Sequence, residues 1–281
     1  MVNRVLSRGH VVGGIGIIVD GDCPGLRTPA ALDGPCDTVV RLRPQVSETP
    51  LRPQGEPAHE ADSWVAFTDD SHFHLCIKWP DGEPMRVELP RDGLEGTLWF
   101  RRDVPPPLFG YPTDQLLLIH ALGVADGFLA HAAAIADANG GYLCAGPSGA
   151  GKTTLSIAAH DVGARVLSDE RTVVRRGRDG WLVGGTPWPG EGGYVENATV
   201  PLRGIMLLEQ AATNELVPVS PARALAMLYR CHFPPLWDDV AATRTLSNIE
   251  RLVREVPAFI LKNRRGPEVA RMLLARLASG A

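Results

Sequence analysis

The chain has no paired-cysteine spacing. Its five cysteines, Cys23, Cys36, Cys76, Cys144 and Cys231, lie far apart, with no CxxC and no Cys/His ligand pattern. That excludes a structural zinc site, and the odd count argues for a reducing compartment over a disulfide framework. Basic charge is not in excess either. A formal net charge of -4 over 281 residues excludes a general nucleic-acid or acidic-membrane binder. Arg171, Arg175, Arg176 and Arg178 form one local cluster, which reads either as a basic patch or as the solvated edge of a strand. A secretory signal is missing: the apolar stretch Val11 to Val19 is broken by glycines and ends at Asp20 without a small-residue cleavage site. No stretch reads as a membrane span, because the longest apolar run, Leu116 to Ala136, carries His120, Asp126 and His131. There is no internal repeat and no low-complexity tract. Together these absences predict a cytoplasmic protein with neither membrane nor nucleic acid as partner. A hydrophobic fraction of 44% against 21% charged residues places it among folded globular chains.

What is present divides into two textures. Residues 1–110 read as β-rich, with short alternating segments at Val39 to Leu42, Trp64 to Phe67, Phe73 to Trp79, Met85 to Leu89 and Thr97 to Arg101. Turn clusters (Asp33-Gly34-Pro35, Asp81-Gly82) and a polar, proline-containing loop from Pro44 to Pro57 separate them. The stiff connector Pro105 to Pro107 marks the boundary. Residues 111–281 alternate helices and strands. Thr113 or Asp114 caps a helix reaching about Phe128. Strands follow at Ala132 to Ala136 and Tyr142 to Ala145, with Asn139-Gly140-Gly141 as a hairpin turn between them. A helix starts at Lys152, and a buried strand, Arg165 to Leu167, ends at Ser168-Asp169-Glu170. Further strands are expected at Thr172 to Arg175, Trp181 to Val183, Gly204 to Leu208, Leu216 to Val219 and Ala258 to Leu261. Helices are expected after Ser220-Pro221, from Asp238 to Glu255 and from Pro267 to Leu277. The fold class is α/β, with a twisted central sheet.

The chemistry concentrates in Gly146-Pro147-Ser148-Gly149-Ala150-Gly151-Lys152-Thr153, a full match to GxxxxGK[ST], continued by Thr154. Glycines let the backbone curl into a nest of inward N–H groups. The helix that starts at Lys152 brings its positive N-terminal end to the same place. Lys152 supplies an ammonium for β- and γ-phosphates, and Thr153 a hydroxyl for Mg²⁺. An apolar strand directly before and an apolar helix directly after support the match. The expected ligand is ATP with Mg²⁺. Asp169 and Glu170 follow on a strand end, where one carboxylate can face a metal and its neighbour an incoming hydroxyl. Read alone, the same pair is a turn with solvated carboxylates.

This arrangement resembles the HPr kinase/phosphorylase family, more closely its small relatives that lack the usual N-terminal domain. The resemblance rests on His131, on the loop GPSGAGKTTL, on Gly163-Ala164-Arg165-Val166-Leu167-Ser168-Asp169-Glu170, and on Pro201-Leu202-Arg203-Gly204-Ile205, and spans about His131 to Leu208. It implies a P-loop core of the HPr kinase and phosphoenolpyruvate carboxykinase type. It further implies that Asp169 is the general base, that Glu170 helps hold Mg²⁺, that His131 lines the phosphate site and that Arg203 steadies the transferred group. Departures are Asp-Glu where the family has Asp-Asp, and Ala132 where glycine usually follows the histidine. Neither the phosphorolysis segment nor the helix that recognises HPr is found. The stretch Gly184 to Gly193, with Trp188 and Glu191 among glycines and prolines, is similar to a run in the small relatives. It reads either as a mobile lid contacting substrate or as a wide turn. The implied activity is transfer of the γ-phosphoryl group to a serine of a protein or peptide. A small-molecule kinase acting on free serine or a sugar, or a nucleotide-responsive module without turnover, are the alternatives. The family's hexamers imply a possible homo-oligomer.

Overall fold

A computed structural model describes residues 7–27, 36–49 and 51–279. The Asp33-Gly34-Pro35 turn lies outside them. Contacts divide the chain into two units, Met1–Val124 with Pro234–Arg244, and Ala125–Phe233 with Thr245–Ala281. The expected boundary between residues 110 and 111 falls before a helix, whereas the contact units part after Val124.

The first unit is an eight-stranded sheet in the order β1-β2-β3-β8-β7-β6-β5-β4. Its strands are β1 (Ser7–Val12), β2 (Ile15–Asp20), β3 (Thr38–Val46), β4 (His59–Glu60), β5 (Trp64–Thr68), β6 (His72–Ile77), β7 (Met85–Pro90) and β8 (Glu95–Phe100). All five alternating segments seen in the sequence are strands. The apolar N-terminal stretch is part of a hairpin, β1 pairing antiparallel with β2, and the interrupting glycines are its turn. The loop expected from Pro44 begins later, because β3 continues to Val46 alongside β8. Pro44 is tolerated there because β2 pairs with β3 only as far as Leu42. Beyond that point β3 is an edge on one side, where a missing N–H breaks no ladder. Helix α1 (Thr113–Val124) packs on β2 and β3 and is buried from Thr113 to Gly123, which explains why it is apolar all round. It stops short of the expected Phe128, which lies in the next strand.

In the same unit Trp237 stacks on Phe73 at 5.1 Å and meets Trp64 edge-on at 5.7 Å. Arg91 clasps the buried Asp238 with two bonds, Nε to Oδ2 at 2.9 Å and Nη2 to Oδ1 at 2.6 Å. Burial pushes the Asp238 carboxyl up. The Arg91 guanidinium and the Ala241 and Val240 N–H groups outweigh that and hold it below the usual carboxylate range.

The second unit is a mixed sheet with helices on both faces. Its strands are β9 (Gly127–Asp137), β10 (Gly140–Ala145), β11 (Arg165–Ser168), β12 (Arg171–Gly177), β13 (Gly180–Gly184), β14 (Thr199–Gln210), β15 (Glu215–Pro218) and β16 (Ala258–Asn263). Its helices are α2 (Lys152–Asp161), α3 (Pro221–Tyr229), α5 (Pro267–Ser279) and, from Thr245 onward, α4 (Asp239–Glu255). Asp137 and Gly140 close the expected β9–β10 hairpin. Ser220 caps α3, accepting from the Arg223 N–H, with Pro221 in the first turn.

The strand period of two separates two cores. Ala132, Ala134, Leu143, Ala145, Ile205 and Leu207 face one side, with Leu228 of α3 and Leu252 of α4. Ala133, Ile135, Tyr142, Cys144, Met206 and Leu208 face the other, with Leu155 of α2 and Leu273 of α5. The alanine run of β9 thus lets layers close on both faces of one strand. Of the four clustered arginines, Arg175 is buried, Arg176 pairs with Glu255, Arg171 lies over the Phe233 ring at 5.8 Å, and Arg178, just beyond β12, is exposed. No helix among the described residues is long and apolar enough to cross a membrane.

Candidate active site

Strand direction brings the site together. β10 and β14 run parallel, as do β14 and β16. β11 and β10 both lie antiparallel to β9, so β11 points the same way as the other three. The carboxyl ends of four strands therefore open at one edge, the usual place for a ligand in such sheets. Ala145 hands the chain to the glycine loop there, Ser168 to Asp169-Glu170, β14 delivers Gln210, and β16 ends in Asn263 before Arg264 and Arg265.

Gly151 sits just before α2 with φ 105°, a left-handed conformation that a side chain would strain. No side chain caps α2, so its first N–H groups face the open edge. Lys152 is buried, and its Nζ donates to Gly146 O at 2.9 Å and Pro147 O at 3.3 Å. Burial lowers its pKa, against the pull of Cys231 and Glu170 nearby. Gln210 Nε2 braces the loop from outside, donating to Gly149 O at 2.7 Å.

The acidic pair is held by Ser168. Its hydroxyl donates to Arg171 O at 2.7 Å and accepts from the Glu170 and Arg171 N–H groups, closing a tight turn. Asp169 is 1% exposed and both its oxygens are engaged: Oδ1 accepts the Gly190 N–H at 2.8 Å, Oδ2 the Gly192 N–H at 2.6 Å. A Cβ on Gly192 would stand 2.5 Å from Oδ2, so this approach requires glycine. Gly190 and Gly192 tie the glycine- and proline-rich stretch to the acidic turn. Trp188 is buried and does not line the cavity, while Glu191 lies on its wall.

His131 lies one residue beyond the Ala132–Ala145 pair, which sets it beside Gly146 at the same edge. Its Nε2 is 3.8 Å from Glu170 Oε1. Burial and then the Lys152 charge lower its pKa, Glu170 opposing, so the imidazole is neutral near pH 7.

A cavity of about 570 Å³ collects these groups: Ser148, Gly149, Gly151, Lys152, Thr153 and Thr154 of the loop, then His131, Asp169, Glu170 and Glu191. Gly146 and Pro147 face a neighbouring cavity, and Ala150 is buried in the core behind the loop. Arg203 is not brought to this cavity. It stands at the start of the β10–β14 pair, donating to Asn139 O at 2.9 Å, while the loop leaves the pair's other end. A parallel strand fixes that separation at about 15 Å over five residues.

Sequence reasoning missed the far wall, where Gln210, Asn263, Arg264 and Arg265 line the cavity. A signal for the arginines existed: Asn263-Arg264-Arg265-Gly266-Pro267 places two adjacent cations between a strand and a helix. Gln210 and Cys231 have no local signal, since only the pairing of distant strands brings them near.

The model of one family, SynChlorMet cassette protein ScmC, matches residues 115–266, more than half of the chain. No curated protein matches. Among solved structures, that of the Hpr(Ser) kinase/phosphatase from Coxiella burnetii matches at 13% identity with a TM-score of 0.32. The match covers 54% of this chain and 99% of that one.

Proposed function

The chain belongs to the SynChlorMet cassette protein ScmC family, and we propose that it is a kinase moving the γ-phosphoryl group of ATP to a hydroxyl, in the first instance a serine of a peptide or protein. The observation that carries this reading is the single cavity in which the glycine loop faces Asp169, Glu170 and His131. On this reading the second unit has a P-loop core of the HPr kinase type. The loop N–H groups and the Lys152 ammonium, released from Gly146 and Pro147, take the phosphate oxygens.

The donor set suits Mg²⁺. No group of three His, Cys, Asp or Glu side chains forms a metal cage among the described residues. Thr153 and Glu170 line the cavity with hard oxygen donors of the kind this cation takes, and would hold it there. Bound there, Mg²⁺ offsets phosphate charge.

In the transfer, the acceptor oxygen forms a bond to the γ-phosphorus. The bond from that phosphorus to the β–γ bridging oxygen breaks, and ADP leaves with the electron pair. The hydroxyl proton goes to Asp169, whose oxygens keep lone pairs beyond the two N–H bonds they accept. Neutral His131 donates to a phosphate oxygen or orients Glu170. Arg264 and Arg265 supply the cationic charge for which Arg203 is too distant.

The test incubates the protein with γ-labelled ATP and Mg²⁺, offering serine-containing peptides and a metabolite pool separately. Label in the peptides supports the reading. Label in the metabolites alone replaces it with a small-molecule kinase. Tight ATP binding with no labelled product in either pool replaces it with a binding module.

A further inference from the structure

The loop has a second cavity on its other side, of about 360 Å³ and wholly within the second unit. It shares His131 and Ser148 with the phosphate cavity, so the two spaces adjoin. Its walls are otherwise different. Ala145, Leu207 and Met227 make an apolar floor, and exposed Arg230 stands on the lining next to the buried Cys231 thiol. Burial pushes that thiol up, with Lys152 and the Gly146 backbone opposing, which records how near the lysine lies to this wall. Arg230 has no carboxylate partner among the described residues.

Lys152 lines the phosphate cavity and reaches the border of the second. Its Nζ rests on the carbonyls of Gly146 and Pro147, and both of those residues line the second cavity. The lysine of such a loop contacts β- and γ-phosphates. His131 and Ser148 line both spaces, so an acceptor seated in the second cavity has its hydroxyl beside the phosphate cavity.

We infer that this second cavity is the acceptor subsite, and that the acceptor carries an apolar group beside its hydroxyl and a carboxylate within reach of Arg230. This rests on the kinase reading and gives that reading a substrate class. The apolar group fills the floor of Ala145, Leu207 and Met227, and the carboxylate pairs with the guanidinium, which is suited to bidentate recognition. A seryl residue in a peptide with an apolar neighbour and an acidic side chain or free C-terminus has this chemistry. So does a free hydroxy acid with an apolar substituent.

The experiment uses the full chain with Arg230→Glu and Met227→Trp, the first reversing the charge and the second filling the floor. Mg·ATP affinity is measured by calorimetry on each protein, which also reports that the variants are folded. Acceptors are a set of serine pentapeptides with apolar or polar neighbours, each as C-terminal acid and amide, and a set of free hydroxy acids. The expected result is unchanged ATP affinity in both variants. Arg230→Glu raises KM at least tenfold for carboxylate acceptors and leaves amide acceptors unaffected. Met227→Trp raises KM for acceptors with apolar groups. Labelling confined to one set identifies the source of the acceptor. If wild type fails to bind ATP, the kinase reading itself falls. If wild type binds ATP but labels nothing, the kinase reading gives way to the binding module; if it labels polar amide acceptors as well as apolar carboxylate ones, the acceptor chemistry is overturned. If it labels acceptors and both variants keep the wild-type KM, the cavity is not the subsite.

Discussion

Asp169 and Gly192 are joined by a 2.6 Å bond from the glycine N–H to carboxylate Oδ2, and the same glycine has no room for a Cβ against that oxygen. The acid assigned to proton transfer is thus also the anchor of the Gly184–Gly193 stretch. Two variants separate these roles. Asp169→Asn replaces one acceptor oxygen with an NH₂ facing a backbone N–H, and should abolish phosphoryl transfer while ATP affinity stays within about threefold. Gly192→Ala keeps the carboxylate but pushes it from its seat, costing about 1–3 kcal/mol of stability and lowering kcat with little change in ATP affinity. Wild-type transfer by Asp169→Asn would remove the residue from the mechanism. Melting curves and single-turnover rates check both.

Lys152→Met should weaken ATP binding by roughly 10–100-fold, the worth of hydrogen bonds between an ammonium and phosphate oxygens. Its Nζ is held in the folded chain by two carbonyls, and those are left without their donor in the variant. A modest fall in stability should accompany the lost affinity. Calorimetry with ATP, beside thermal melting, measures the two effects separately. Undiminished affinity would mean that the loop is not the phosphate site.

The arginines offer a contrast within one chain. Arg264 and Arg265 line the phosphate cavity, while Arg203 is bound to Asn139 O at the opposite end of its strand. Replacing Arg264 and Arg265 together by Ala should weaken ATP binding or transfer by about tenfold or more, and the loss should shrink as salt rises. Arg203→Ala in the monomeric chain should leave both nearly unchanged. The reverse pattern would mean that the transferred group is steadied from the Arg203 end.

Two buried groups give opposite pH dependences in the first unit. His10 is 4% exposed, neither ring nitrogen has a hydrogen-bond partner among the described residues, and burial lowers its pKa to about 4. The unfolded chain takes up that proton near pH 6.5, so stability is lost as pH falls from there to about 4. Asp114, buried at the start of α1, is pushed up to about 6 by burial, the Gln115 N–H opposing. Its folded form holds a proton that the unfolded chain gives up near 3.8, so stability is lost as pH rises from there to about 6. Relative to His10→Phe, wild type should therefore lose about 3 kcal/mol between pH 7 and pH 4. Relative to Asp114→Asn, it should lose about 3 kcal/mol between pH 4 and pH 7. Urea unfolding at several pH values reads both, and parallel curves would show that neither group titrates differently on folding.

Local chemistry made much of this protein legible from the sequence alone. Gly146 to Thr153 specifies its turn and helix start through glycine conformations and a lysine that any chain would use in the same way. Asn139-Gly140-Gly141 closes a hairpin, Ser220-Pro221 starts a helix, and the alternating segments from Val39 onward are strands because their periods are intrinsic to the backbone. The residues from Gly184 to Gly193 left a mobile lid and a wide turn equally open. The tertiary contact with Asp169 shows that those glycines allow close approach. Only the fold decided that Arg203 stands away from the site, since strand direction is not written in the residues around it. Only the fold, likewise, set Arg264, Arg265, Gln210 and Cys231 beside a loop 50 to 120 residues away in the sequence. Their places depend on β10, β14 and β16 running parallel, a pairing established by burial across two cores and by no local preference.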